Sequence, residues 1–334
     1  MRLVFVTQRV DPLHQALAPV VPQIRALAAR VDEVVVLAGG GGADDLPTNC
    51  RVESFAAPTQ AARGARFLRL LAPELRERPV AVLAHMCPIY AILAAPLARP
   101  LRVPVVLWFA HWRPSAKLRL AERLSTRVLS ATDTSFPLPS RKLVAIGHGV
   151  DVAGFACRDG GGDGSLRLVS LGRYSPSKNY PELVRGVGRA RADGVPVTLD
   201  VYGPTLTAEE RRHRAELEGL RGDGIELHEG VPGADVPALL GRYDAFASAT
   251  RAGSADKAIL EAAAACLPVV AATPPLDTAL RFADEEELAE RIAELARLSP
   301  EERQRLGREG RVRVEQRHSL DAWAERVLAA IEVM

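Results

Sequence analysis

Short apolar runs alternate with amphipathic stretches along the whole chain. In the first half, runs at residues 3–6, 33–37, 51–55, 80–84, 103–109, 127–131 and 142–146 have the length of strands. Between them, apolar residues return at helical spacing over 14–29, 61–76 and 88–98. Strands alternating with helices predict a parallel sheet with helices on both faces. The second half repeats the scheme, with strands expected at 166–171, 197–202, 225–228, 245–248 and 268–271 and a helix at 181–191. The tract 147–164 between the halves ends in Gly160-Gly161-Gly162-Asp163-Gly164, which supplies little packing and reads as a linker. The pattern therefore predicts an α/β chain of two domains, 1–150 and 151–317. An amphipathic helix over 318–334 follows, with Trp323, Val327, Leu328 and Ile331 on its apolar side.

Candidate chemistry concentrates where the second-half strands stop. The segment Ser170-Leu171-Gly172-Arg173-Tyr174-Ser175-Pro176-Ser177-Lys178-Asn179-Tyr180 ends a strand in glycine and places an arginine and a lysine in a short loop before a helix. Ligands of open α/β sheets sit at the carboxyl ends of strands. A guanidinium fork and a mobile ammonium are the pair that a diphosphate needs. The alternative is two surface cations in an ordinary loop. Further on, Ala245 to Ser248 reads as a strand, followed by a glycine-containing loop and an alanine-rich helix that starts near Ala255 and carries Glu261. Backbone amides of Gly253, Ser254 and Ala255 are expected at that helix start, where anions are favoured. Glu261 stands among Ile259, Leu260 and Ala262, and a carboxylate in such company usually has a partner; the alternative is a solvated helix face.

Together these segments resemble the donor half of family 4 glycosyltransferases, retaining, nucleotide-sugar-dependent enzymes with two facing Rossmann-like domains (GT-B). The resemblance implies that Arg173 and Lys178 hold the donor diphosphate and that Glu261 binds the ribose. It implies that the last helix crosses back onto the first domain. The family's earlier glutamate is replaced by Gly253, so the amides of Gly253, Ser254 and Ala255, with Asp256 or Lys257, are expected to take its role. The base is expected against Gly203 and the Gly230-Val231-Pro232 turn. His111, at the end of Val105-Val106-Leu107-Trp108-Phe109-Ala110-His111-Trp112, resembles the family histidine that points at the transferred sugar; a histidine satisfied by its own loop is the alternative. The first loop, Thr7-Gln8-Arg9-Val10-Asp11-Pro12, lacks the family's glycines, so side chains of Gln8, Arg9 and Asp11 are expected to stand in. Gly147-His148-Gly149-Val150-Asp151 resembles the interdomain segment, where glycines suit a hinge.

The resemblance implies transfer with retention from a UDP- or GDP-sugar to a hydroxyl, by front-face attack, without a metal and with no cofactor beyond the nucleotide-sugar co-substrate. A nucleotide-sugar 2-epimerase of the same fold and a non-catalytic nucleotide-sugar-binding protein remain open. The acceptor is a small molecule, a glycan or a lipid.

Composition narrows the rest. A chain of 334 residues, 48% hydrophobic and 25% charged, is that of a soluble globular protein of two domains. No apolar run reaches the roughly 18 to 20 residues that cross a bilayer. The net charge of +2 hides an asymmetry: residues 1–150 hold 19 Lys and Arg against 10 Asp and Glu, a net +9, and the remainder holds 24 against 31, a net −7. With only 5% aromatics and no basic stripe interleaved with stacking residues, nucleic acid is excluded as the reason. An anionic acceptor or membrane surface fits better. Cys50, Cys87, Cys157 and Cys266 show no paired spacing, so neither a zinc site nor a disulfide framework is expected, and a reducing cytoplasm is the expected home. Residues 61–78 gather Phe67, Leu68, Leu71 and Leu75 on one arc and Arg63, Arg66, Arg69 and Arg76 mainly opposite, a pattern that suits either a core-facing helix, which is favoured, or peripheral membrane contact.

Overall fold

Strands buried on both faces carry unbroken apolar runs, and the first of these, Leu3 to Val6, has no solvent exposure at any position. A computed structural model describes residues 1–14, 17–42, 44–157, 165–251 and 256–333. The described chain divides into two units, Met1–Gly149 with Ser319–Met334, and Val150–His318.

The first unit runs β1 (Arg2–Thr7), α1 (Val20–Ala28), β2 (Glu33–Ala38), β3 (Cys50–Ser54), α2 (Gln60–Arg76), β4 (Ala81–His85), α3 (Pro88–Ala98), β5 (Val105–Trp108), α4 (Ala116–Leu124), β6 (Arg127–Ser130) and β7 (Leu143–Ala145). Its sheet is parallel throughout, in the order β3-β2-β1-β4-β5-β6-β7. Successive side chains on a strand face opposite ways. Leu3 and Phe5 accordingly join one core with α1, while Val4 and Val6 join the other with α2, α3 and α4. Helix α1 begins at Val20 rather than at residue 14. Pro19 and Pro22 explain the correction, because a proline without an N–H is tolerated only around the first turn.

Helix α2 buries Phe67, Leu71 and Leu75 and packs Leu68 against the same core. Its apolar arc thus packs inside the unit, as a core-facing helix does. Among the described residues no helix is long and apolar enough to cross a membrane.

The second unit runs β8 (Leu166–Leu171), α5 (Tyr180–Ala192), β9 (Val197–Gly203), α6 (Ala208–Leu220), β10 (Ile225–Glu229), α7 (Val236–Leu240), β11 (Ala245–Ser248), α8 (Lys257–Ala264), β12 (Val269–Ala271), β13 (Leu280–Arg281), α9 (Glu285–Arg297) and α10 (Pro300–His318). Its parallel sheet has the order β10-β9-β8-β11-β12-β13. In both sheets the order reverses beside the first strand, between β1 and β4 and between β8 and β11. Crevices form at such reversals, outside the carboxyl ends of the strands.

Helix α11 (Leu320–Glu332) returns to the first unit, opened by a Ser319 cap whose hydroxyl accepts from the Ala322 N–H at 3.2 Å. Its Trp323, Val327, Leu328 and Ile331 enter the core that holds α1, and Trp323 is fully buried. Gly149 sits against that ring at φ +70°, where a Cβ would lie 3.1 Å from the indole Cγ.

The cysteine expectation needs correction. Cys157 and Cys266 are joined as a disulfide, with Cα atoms 5.0 Å apart across 109 positions. Spacing rules read cysteines that are near in sequence, whereas packing of α8 and its following turn brings this pair together.

Candidate functional site

The loop after β8 is built by two bare backbone positions and two buried phenols. Gly172 has φ +148°, and a Cβ there would meet the Lys178 side chain at 2.4 Å, so the lysine crosses directly over the glycine. A Cβ on Gly203, at the end of β9, would meet the Gly172 carbonyl oxygen at 1.9 Å. Only glycine lets the two strand ends close up beneath the loop. Tyr174 is fully buried and its hydroxyl lies 2.9 Å from the Val201 carbonyl and 2.8 Å from that of His228. The Tyr180 hydroxyl donates to the Gly172 carbonyl at 2.9 Å. Burial pushes both phenols above their ordinary pKa and keeps them neutral donors.

The two cations of the loop are each held by a carboxylate. Arg173, half exposed, lies 3.2 Å from Glu210, a buried carboxylate that also caps α6 by accepting from the Leu206 and Thr207 N–H groups at 2.7 and 3.1 Å. Lys178 donates to Asp256 Oδ1 at 2.8 Å. The other Asp256 oxygen accepts from Ser248 Oγ at 2.9 Å and Thr250 Oγ1 at 3.0 Å, and Asp256 caps α8 at the Ala258 N–H. Burial opposes the charge on Asp256, but Lys178 and the two hydroxyls outweigh it and hold the carboxyl below its ordinary value. Helix α8 therefore starts at Lys257, two residues beyond the expected position.

Glu261 is partly buried and forms an ion pair with Lys257 one turn earlier. Val231, partly buried, follows β10 and packs with Tyr202 against the core of the second unit. Gly253, Ser254 and Ala255 lie outside the described residues. His111 lies three residues beyond β5, in the first unit. Its Nδ1 accepts from the Arg113 N–H at 3.1 Å, which puts the proton of the neutral ring on Nε2, and its ring lies 5.9 Å from that of Trp112. In the first loop, Arg9 and Asp11 pair with each other at 2.9 Å, while Gln8 reaches the Met86 carbonyl at 3.4 Å.

Sequence reasoning missed Glu210, Ser248 and Thr250. It also missed a polar cluster on the neighbouring strands. His228 lies 2.7 Å from Asp200, Tyr243 donates to the other Asp200 oxygen at 2.9 Å, and the Tyr202 ring stacks on His228 at 4.3 Å. A signal for it existed in β9, where Asp200 and Tyr202 alternate with Leu199 and Val201 and so share one face.

Residues 182–329 match the glycosyl transferase-like family. No curated protein sequence matches the chain significantly. Among solved structures, Anabaena HepE in complex with UDP and glucose superposes with a TM-score of 0.76 over 100% of both chains at 16% identity. Sucrose-phosphate synthase of Thermosynechococcus elongatus gives 0.74 at 14% identity, covering 99% of this chain and 98% of its own. The α,α-trehalose 6-phosphate synthase of Burkholderia multivorans gives 0.70 at 16%, covering 99% and 98%. With both sheets and their parallel order described, the chain has the GT-B fold, and the stretch that matches the glycosyl transferase-like family includes Glu261 and begins just after Arg173 and Lys178.

Proposed function

We propose that the protein is a retaining glycosyltransferase that moves a sugar from a nucleotide diphosphate sugar to a hydroxyl acceptor. The observation that carries this reading is the loop after β8, where two cations at a strand-order reversal are oriented by carboxylates and keep further N–H donors for a diphosphate. As the bond from the sugar C1 to the phosphate oxygen breaks, Arg173 and Lys178 neutralise the departing diphosphate. Charge-assisted hydrogen bonds of this kind contribute about 1.5–3 kcal/mol each. The acceptor oxygen forms its bond to C1 on the same face, and its proton passes to the leaving phosphate. No step in this scheme calls on a metal. The solved HepE complexes with UDP and with UDP-glucose make UDP-glucose the first donor to try. Incubation with UDP- and GDP-sugars and a cell extract tests the proposal: acceptor-dependent nucleotide release, with the anomeric configuration kept in the product, is expected. Conversion without an acceptor would indicate the 2-epimerase, a reading favoured by the carboxylates Glu210 and Asp256 beside the loop. Tight nucleotide-sugar binding without turnover would indicate a binding protein.

Glu261 is assigned to the ribose hydroxyls. Its pairing with Lys257 is a partly exposed pair one turn apart, a type of contact that contributes only about 0.3–0.5 kcal/mol. Glu261→Ala is therefore expected to leave the melting temperature nearly unchanged while weakening UDP binding about ten-fold in calorimetric titration. Normal UDP affinity with a large fall in melting temperature would make Glu261 a structural residue.

His111 is assigned to the reacting sugar or acceptor. An interaction made mainly in the transition state appears in the rate, so His111→Ala is expected to lower kcat well beyond any change in donor affinity. Equal losses in both, or none, would leave His111 as the loop residue that its bond with Arg113 describes.

A further inference from the structure

The first unit contains a cavity of about 680 Å³ at the carboxyl ends of β1, β2 and β4. The volume is that of a site for a small organic ligand. The position is the reversal of strand order in the seven-stranded sheet. Its walls divide by chemistry. One side is apolar: the Phe55 and Tyr90 rings stand 4.5 Å apart, with Ile89 and Leu93 beside them. The other side is cationic, with Arg63 from the first turns of α2 and Lys117 from the start of α4, and no carboxylate lines the cavity. Arg63 Nε is buried and has no hydrogen-bond partner. Among the described residues no ion pair is made by either cation. A buried donor left unpaired costs about 1–3 kcal/mol, and a guanidinium fork is relieved best by a phosphate or carboxylate. The net +9 of residues 1–150 strengthens the attraction.

We propose that this cavity takes an anionic ligand with an apolar or aromatic body, its phosphate or carboxylate held by Arg63 and Lys117 and its body seated between Phe55, Tyr90, Ile89 and Leu93. Calling that ligand the sugar acceptor rests on the transferase reading; its binding to the cavity does not. The anionic head can belong to a free small molecule or to a lipid headgroup, and the chemistry of capture is the same for both.

Phenyl phosphate is the probe. The full chain is titrated with it by calorimetry, with and without saturating UDP, against benzyl alcohol, which keeps the ring without the charge, and inorganic phosphate, which keeps the charge without the ring. Phenyl phosphate is expected to bind at least ten-fold tighter than either control, with UDP present as well as absent. Arg63→Gln is expected to weaken it ten-fold or more, Lys117→Gln several-fold, and Arg63→Lys to an intermediate degree, all with unchanged melting temperature and unchanged UDP affinity. Equal binding of benzyl alcohol, or undiminished phenyl phosphate binding by Arg63→Gln, overturns the proposal. Loss of UDP binding in the unaltered protein would instead count against the donor site and leave the Arg63 comparison intact. Co-sedimentation with phosphatidic acid vesicles that Arg63→Gln abolishes would assign the head to a lipid. Failure to co-sediment, with phenyl phosphate bound, would assign it to a free molecule.

Discussion

Lys178→Ala is expected to lower kcat/KM for a nucleotide-sugar donor by about 10²–10³, the usual cost of removing one preorganised donor from the place where negative charge develops. The lysine is preorganised here in a concrete sense. Its side chain crosses the bare face of Gly172 and ends 2.8 Å from Asp256, whose second oxygen is fixed by Ser248 and Thr250. The same contact makes stability part of the prediction. Asp256 is buried, and taking away its cation leaves an uncompensated charge, a change that costs about 3–5 kcal/mol when a buried pair is broken on one side. Lys178→Ala should therefore also melt lower. Lys178→Ala combined with Asp256→Ala should recover much of that stability, since no charge is stranded, yet stay as inactive as the single variant. Recovery of activity in the double variant would show that Lys178 serves only to neutralise Asp256. Arg173, half exposed beside Glu210, has less to lose structurally. Arg173→Ala is expected to raise the Kd for UDP about ten-fold, equivalent to about 1.4 kcal/mol, and unchanged UDP binding in the folded variant would refute its role at the diphosphate.

What the sequence made legible and what it hid follow from distance along the chain. The strands around Leu3, Val34 and Leu166 announce themselves because a strand buried on both faces must be apolar within a few consecutive residues. The Arg173 to Lys178 loop is legible for a similar reason, since glycine, cations and helix start fall within a dozen positions. The partners of those cations are not legible in this way. Asp256 is 78 positions from Lys178, and Glu210 reads as an ordinary capping-box residue after Thr207, with nothing local to say that its outer oxygen meets Arg173. The Cys157–Cys266 pairing is hidden by its 109-residue separation. The cavity of the first unit was out of reach for the same cause, because Phe55, Arg63, Tyr90 and Lys117 come from four different segments. The arginines of α2 illustrate the opposite error. Read as one solvated face, they conceal that Arg63 has a buried Nε without a hydrogen-bond partner and lines the cavity.

Stability of the first unit is expected to fall steeply as pH drops below about 6.5, at close to 1.4 kcal/mol per pH unit, because of His85. This residue ends β4 with its ring stacked between Phe5, at 5.4 Å, and Trp108, at 4.7 Å. Neither ring nitrogen has a hydrogen-bond partner. Burial first, and the neighbouring His148 second, depress its pKa from 6.5 to about 3. The folded form therefore keeps the ring neutral where the unfolded chain is already protonated. Between about pH 6.5 and 3 the unfolded state binds one more proton, so stability rises with pH across that window and is lost as pH falls through it. Above the window the term is constant. Each pH unit corresponds to about 1.4 kcal/mol, so two units of acidification remove close to 3 kcal/mol, a large part of what a domain of this size has. The three tryptophans, Trp108, Trp112 and Trp323, all belong to this unit, so urea unfolding followed by tryptophan fluorescence reports it separately from the second. His85→Leu, of similar volume and unable to bind a proton, is expected to flatten the difference in unfolding free energy between pH 7 and pH 5 relative to the unaltered chain. Parallel pH profiles for the two proteins would mean that water reaches the ring and that its protonation in the folded state is far easier than its surroundings indicate.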